Sequence, residues 1–127
     1  MYYKDLEVWK EAINLVTDIY EITNNYPQAE IYGITNQIRR CVISVPSNIA
    51  EGIVKHSDKE TLRYLDIALG SLAELDTQML ISQNLGYIGN YETIELQISK
   101  VRALLTGLIN YYKKQSTDIK ELSALES

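Results

Sequence analysis

The sequence predicts an all-α protein that folds as an up-down-up-down four-helix bundle. Glycine and proline are scarce, whereas Leu, Ile, Ala, Glu, Lys and Gln, which lose little freedom on entering a helix, are abundant. Apolar residues recur at steps of three and four along four separate segments, which is the period of one helix face. The connections between these segments are short, and short connections place consecutive helices antiparallel.

The first two helices are predicted from their apolar stripes. Helix 1 is predicted from about Lys4 to Thr23, before the Asn-Asn-Tyr-Pro segment that stops it. Its expected core-facing residues are Leu6, Trp9, Ile13, Val16 and Tyr20. Helix 2 is predicted from about Ile31 to Val54. Its expected core-facing residues are Ile34, Ile38, Cys41, Val45 and Ile49.

Capping signals delimit the last two helices. Ser57 and Glu60 fit a capping box, so helix 3 should begin there, and Gly86 is placed as the left-handed residue beyond its last turn. Its expected core residues are Leu62, Leu65, Leu69, Leu72, Leu75 and Met79. Asn90 should cap helix 4. The expected core residues of helix 4 are Ile94, Ile98, Val101, Leu105, Leu108 and Tyr112.

The length suits one domain, predicted over residues 1–115, with 116–127 as an acidic C-terminal tail or an extension of helix 4. No apolar run is long enough to cross a bilayer and the N-terminus lacks a signal-peptide pattern, so we expect a cytoplasmic protein without a membrane partner. Cys41 and His56 are the only residues of their types, and no nucleotide-binding or hydrolase motif occurs. We therefore expect no metal, no cofactor and no catalytic activity.

Helices 1 and 2 carry more apolar surface than one bundle can cover. Opposite the core-facing stripe of helix 2 lies a second apolar arc, consisting of Ile43, Pro46, Ala50 and Val54. The surplus predicts contact between subunits, that is, a homo-oligomer; an unusually wide stripe inside a monomer is the alternative.

A line of polar residues runs between the two apolar arcs of helix 2: Gln37, Arg40, Ser44, Asn48 and Glu51. Buried polar groups need partners, so we expect a hydrogen-bonded network that fixes helix register or subunit orientation rather than a ligand site. Asn48 should bond Ser44, and Arg39 or Arg40 should pair with a carboxylate, for which Glu30, Glu51 and Glu74 are the candidates.

Pro46 lies within predicted helix 2, where it removes one amide and crowds the carbonyl of Val42. Ser44, Ser47 and Asn48 surround it and are expected to bond the freed backbone groups. The Ser-Val-Pro-Ser-Asn segment is therefore interpreted as a bend and an assembly surface.

The formal net charge of −5 argues against binding nucleic acid through bulk electrostatics. Helix 2 and the start of helix 3 are nevertheless locally basic. If nucleic acid binds, the candidates for phosphate contact are Arg39, Arg40, Lys55, Lys59 and Arg63, followed by Lys113 and Lys114. Arg39 is expected to point outward and Arg40 to lie in the polar line.

Several segments resemble one protein family: LEVW at 6–9, YPQAEIYGITNQIRRCVISVPSNIAEG at 26–52, YLDIALGSLAELDTQ at 64–78 and LGYI at 85–88. They resemble the four-helix-bundle proteins encoded in intervening sequences of bacterial 23S ribosomal RNA genes. Relatives include the accessory variability determinant of diversity-generating retroelements. The resemblance implies a homopentamer shaped as a barrel or funnel.

Two functions are compatible with these observations. The first is a homo-oligomeric scaffold whose partner is RNA, DNA or a nucleic-acid enzyme, such as a reverse transcriptase or a ribosomal RNA component. The second is a protein-interaction or structural assembly without nucleic-acid binding.

Overall fold

The computed structural model describes the backbone of residues 1–126 and the side chains of residues 1–117 and 120–125; within that part it contains four α-helices and no strand. The helices, α1 to α4, span Glu7–Thr23, Ile34–Ile53, Asp58–Asn84 and Glu92–Glu126. Short 3-10 turns at Tyr3–Asp5 and Gln28–Glu30 precede α1 and α2. Of the predicted tail, Ser127 and the side chains of Asp118, Ile119 and Glu126 lie outside the described residues.

The helices pack in chain order around one core. Each helix packs on the next and α1 closes the ring on α4, while among the described residues the backbones of α1 and α3, and those of α2 and α4, do not approach within 8 Å between Cα atoms. Ser44 of α2 contacts Ser71 of α3, whereas Gly52, further along α2, contacts Thr61, which lies earlier on α3. Neighbouring helices therefore run antiparallel, as expected for a four-helix bundle.

Two helices begin later than predicted. The first, α1, begins at Glu7 rather than Lys4, because Leu6 is extended (φ −75°, ψ 129°) and follows the 3-10 turn. The second, α2, begins at Ile34 rather than Ile31, because the backbone at Gly33 (φ −109°, ψ −123°) is not helical. Both boundaries depend on local turns that apolar periodicity does not detect.

The predicted caps of α3 and α4 are confirmed. The Ser57 hydroxyl accepts from the Glu60 amide at 3.2 Å. Gly86 has φ 78°, and the bonds from its amide to the Gln83 carbonyl and from the Tyr87 amide to the Ser82 carbonyl form a Schellman motif. Before α4, the Asn90 side chain accepts from the Glu92 amide at 2.8 Å.

Most residues predicted to face the core on α2, α3 and α4 are buried, whereas a different stripe of α1 faces the core. The core-facing stripe of α1 consists of Val8, Ala12, Leu15, Ile19 and Thr23. The predicted stripe is rotated away from the core: Trp9 and Val16 are half-buried and Ile13 is exposed. Both stripes have helical spacing, so periodicity alone could not distinguish the core-facing one.

The helix α4 extends beyond the packed bundle. At 1.5 Å per residue its 35 residues are about 52 Å long, against about 40 Å for the 27 residues of α3. Among the side chains that the structure describes, Tyr112 is the last residue of α4 in the core. Residues after 115 continue α4 as far as Glu126.

Pro46 is buried inside α2, which continues through it without interruption. Pro46 has no amide to donate to the Val42 carbonyl, and the neighbouring side chains do not donate to that carbonyl instead. The Ser44 hydroxyl contacts the Cys41 carbonyl and the Asn48 amide donates to the Ser44 carbonyl, so neither bond ends on Val42. The expectation that these side chains replace the lost backbone bond is therefore wrong.

Candidate assembly and nucleic-acid surfaces

An apolar groove runs along the outside of the bundle between α1 and α2. Its volume is about 310 Å³, and its apolar lining is Tyr3, Trp9, Ile13, Val16, Ile43, Pro46 and Ala50. Ile13 and Ile43 remain 38% and 41% exposed. The second arc of α2 is thus only partly covered: Pro46 is buried and Ala50 half-buried, but Val54 is 58% exposed. We call this surface the α1–α2 groove.

The predicted polar line of α2 divides into two parts. Gln37, Arg40 and Glu51 are exposed, so they are not enclosed between buried strips as expected. Ser44 and Asn48 are half-buried, and the Asn48 amide donates to the Ser44 carbonyl at 2.7 Å as predicted. Only the inner part of the line needs partners from within the bundle.

Ser44 connects α2 to α3 through a small polar cluster. Its Oγ lies 2.7 Å from the Cys41 carbonyl oxygen and 2.6 Å from the Ser71 Oγ. A hydroxyl has one proton, so Ser44 donates to the carbonyl and accepts from Ser71. The Cys41 thiol donates to the Ser71 carbonyl at 3.0 Å, with its sulfur 3.8 Å from a Glu74 carboxylate oxygen. The cluster joins two helices with few unsatisfied groups.

Cys41 is unsuited to act as a nucleophile. Burial, with the adjacent Glu74 carboxylate as the second cause, raises the pKa of the Cys41 thiol to about 12. The thiolate is the reactive form of cysteine, so this side chain stays protonated and unreactive at neutral pH.

Arg39 joins α2 to the end of α1 and does not point outward as expected. Its Nε donates to the Thr23 hydroxyl and a terminal nitrogen donates to the Asn24 side chain, both at 2.9 Å. The guanidinium also lies 4.6 Å from the centre of the Tyr20 ring. The Thr23 hydroxyl in turn donates to the Ile19 carbonyl at 2.8 Å. Arg39 therefore holds two helices together, which makes it a poor candidate for phosphate contact.

Arg40 is the exposed arginine of the pair. It borders a polar cleft of about 350 Å³ with Asn36, Gln37 and Glu74. Neither arginine forms an ion pair with a carboxylate whose side chain is described, so the predicted pairing with Glu30, Glu51 or Glu74 is wrong.

Three cations gather at the turn between α2 and α3, and we call them the turn cations: Lys55, Lys59 and Arg63. The Lys55 ammonium and the Arg63 guanidinium lie 5.0 and 5.1 Å from the centre of the Tyr64 ring. None of the three is in an ion pair with a carboxylate whose side chain is described. Tyr64 was missed at the sequence level, although its position next to Arg63 was the available signal.

The five candidate phosphate contacts do not form one patch. Arg39 and Lys55 are 16 positions apart on or just beyond α2, which at 1.5 Å per residue separates them by about 24 Å. The turn cations lie at the end of the bundle where α1 begins, together with exposed Lys113 and Lys114 on the distal part of α4.

Neither a metal centre nor a membrane span is found in the part of the chain that the structure describes. No group of three or more His, Cys, Asp or Glu residues there could hold a metal ion. None of the described helices combines the length and apolar character that crossing a membrane requires.

These features define an all-α protein: an antiparallel four-helix bundle with an uncovered apolar groove and a small basic turn. The family model of the 23S rRNA-intervening sequence protein matches residues 4–107, and the chain belongs to this family. A crystal structure of a protein of unknown function from the S23 ribosomal protein family of Bacteroides thetaiotaomicron has a similar fold. Its TM-score is 0.76 at 21% identity, over 87% of this chain and 99% of that chain. No curated protein matches the sequence.

Proposed function

We propose that this protein is a non-catalytic homo-oligomeric scaffold that contacts nucleic acid or a nucleic-acid enzyme, such as a reverse transcriptase or a ribosomal RNA component. The observation that carries the proposal is the α1–α2 groove. Contiguous apolar surface that a single bundle leaves open, around Ile13 and Ile43, is characteristic of a protein–protein contact. The family resemblance implies five subunits.

The turn cations support a contact with phosphate. Lys55, Lys59 and Arg63 have no described carboxylate partner, so their charge is available to an external anion. The Tyr64 ring holds two of them in place, which reduces the conformational entropy that an anion contact would cost. Arg40, which is exposed, belongs to a separate surface.

The absence of catalysis is part of the proposal and rests on the chemistry of Cys41. Its pKa of about 12 keeps the thiol protonated. The sequence provides a single histidine, His56, which is exposed. A general base paired with an activated nucleophile would need a different arrangement.

A second candidate, a protein-interaction assembly without nucleic-acid binding, is favoured by the charge. With a net charge of −5, the protein as a whole repels a polyphosphate, and this repulsion opposes the attraction by the turn cations.

Mobility shifts with structured RNA and single-stranded DNA across a salt series separate the two candidates. A contact through the turn cations makes binding weaken with salt, by about 0.7–0.9 in log–log slope for each phosphate neutralised. Lys55→Gln/Arg63→Gln should therefore reduce the slope by about 1.5, whereas Lys100→Gln/Arg102→Gln, which removes the same charge from the first half of α4, should not.

The outcomes are distinct. An absent or salt-insensitive shift refutes nucleic-acid contact. An equal effect of the control pair refutes the assignment to the turn cations. Protein recovered with the chain after nuclease treatment would favour the second candidate.

Pro46→Ala tests the assembly half of the proposal. Alanine at position 46 restores the backbone amide that can donate to the Val42 carbonyl, and it removes the proline ring from the α1–α2 groove. Helical content should stay the same, while the assembly or its thermal stability changes. An unchanged oligomer mass together with an unchanged melting temperature would show that the proline contributes to neither.

A further inference from the structure

A second concave surface lies at the opposite end of the bundle from the turn cations. It is an open pocket of about 540 Å³ between the end of α1, the start of α4 and the α3–α4 loop. Its apolar side includes Ile22, Tyr87 and Ile88, and its charged side consists of Asp18 and Glu21. We call it the α1–α4 pocket.

The charges along the boundary between α1 and α4 are balanced at one end and unbalanced at the pocket. Glu11 of α1 pairs with Lys100 of α4 at 3.2 Å. Further along, the Asp18 carboxylate accepts from the neutral Gln97 amide at 2.8 Å and has no cation as a partner among the described side chains. Glu21, on the next turn, is exposed and forms no ion pair within the described part of the chain. Two carboxylates thus face a pocket whose described lining contains no cation.

The geometry points to an arginine-bearing segment of a basic protein as the occupant of the α1–α4 pocket. Asp18 and Glu21 are three residues apart on α1 and therefore share a face, where they can accept from a guanidinium. Ile22 and Ile88 provide apolar surface for the alkyl stem of an arginine or for a neighbouring apolar side chain. A pocket of this volume takes more than one side chain, so it fits a segment of chain better than a small cation.

Charge complementarity extends beyond the pocket. The protein has a pI of about 4.8 and a net charge of −5 at pH 7, and this negative charge attracts a basic partner over distances of about a Debye length. Clusters of arginine are typical of proteins that bind nucleic acid. The choice of a nucleic-acid-binding protein as the source of the segment rests on the proposed function, whereas the preference of the pocket for a cationic segment does not.

The test is calorimetric titration with an acetylated, amidated Arg-Leu-Arg-Leu-Arg peptide, compared with Gln-Leu-Gln-Leu-Gln and with spermidine. The arginine peptide should bind saturably and both comparison ligands at least about tenfold more weakly, since a charged hydrogen bond contributes about that factor. Asp18→Asn/Glu21→Gln should lose about tenfold or more. Glu92→Gln/Glu95→Gln, which removes the same charge from exposed positions outside the lining, should bind as the natural chain does.

Hydrogen exchange locates the site independently of the variants. Peptide binding should slow exchange in the α3–α4 loop, around Tyr87 and Asn90, and leave the turn after α2 unchanged. Any of four results would overturn the proposal: no saturable binding, equal losses in both double variants, spermidine binding as tightly as the peptide, or protection confined to another surface. Because the pocket lies within one chain, these results do not depend on oligomerisation or on the mobility shifts.

Discussion

Replacing Gly52 by alanine is a direct test of how closely α2 and α3 pack. A Cβ built at Gly52 would lie 2.9 Å from the Tyr64 Cβ and 3.1 Å from the Thr61 carbonyl oxygen. Both contacts are too short, and the second is with backbone, which cannot move aside like the end of a flexible side chain. The Gly52 carbonyl also accepts from the Thr61 hydroxyl at 2.8 Å, so separating the helices would disturb that bond.

Two opposing effects determine the magnitude. In a helix interior, alanine is favoured over glycine by about 0.8–1.0 kcal/mol. Overpacking of a well-packed contact costs about 1–3 kcal/mol. Gly52→Ala should therefore change the free energy of unfolding by between about zero and a loss of about 2 kcal/mol. Gly70→Ala and Gly107→Ala, where nothing lies within 4 Å of the added Cβ, should each gain about 0.8–1.0 kcal/mol.

The assay is urea denaturation of the three variants, followed by far-UV circular dichroism. The informative quantity is the difference between Gly52→Ala and the two control variants, about 1–3 kcal/mol. A Gly52→Ala variant that is stabilised as much as Gly70→Ala would refute the close approach of α2 to α3.

Three further predictions concern individual side chains. Arg39→Lys should lower the free energy of unfolding by about 1–2 kcal/mol, because lysine cannot reproduce the two hydrogen bonds and the ring contact of the guanidinium. The control Arg40→Lys, at an exposed position, should change it by no more than about 0.5 kcal/mol. Equal effects would contradict the role of Arg39 in joining α1 and α2. Cys41 should react with a thiol reagent only after unfolding, because its pKa is about 12; rapid labelling of the folded protein would contradict its burial. The bond to Asp76, followed by burial, raises the pKa of Tyr91 from 10.0 to about 12, so this contribution to stability is present below about pH 10 and lost as pH rises toward 12. Burial also raises the pKa of Tyr26 and of Tyr112, so phenolate absorbance should show several late-titrating tyrosines, of which Asp76→Asn shifts one to lower pH; a titration that Asp76→Asn leaves unchanged would contradict the assignment.

The sequence was sufficient to locate the helices because their signals are local. The Ser57 cap and the left-handed Gly86 depend on a few adjacent residues, and both occur where predicted. The core-facing side of α1 was not predictable in the same way. Leu15 and Trp9 belong to neighbouring stripes of equal period, and only packing against the other helices decides which one is buried.

The candidate surfaces depended on contacts between distant residues and were less predictable. Arg39 looked like an outward-facing cation, but Thr23 and Asn24 lie within its reach once α1 and α2 are antiparallel. Gly52 falls within predicted helix 2, as observed, but the periodic pattern could not show that it lies at a close approach to α3. The uncovered groove between α1 and α2 agrees with the surplus of apolar residues expected on those helices.

The mass of the intact protein at micromolar concentration, measured by native mass spectrometry, tests the central claim of assembly through the α1–α2 groove most directly. The natural chain should appear at one discrete mass that is at least twice the single-chain mass of 14.5 kDa and a whole multiple of it. Ile43→Glu, within the groove, should shift it toward the single-chain mass, while Leu96→Glu, 72% exposed on α4, should leave it unchanged. A natural chain at 14.5 kDa, or equal behaviour of the two variants, would contradict the account.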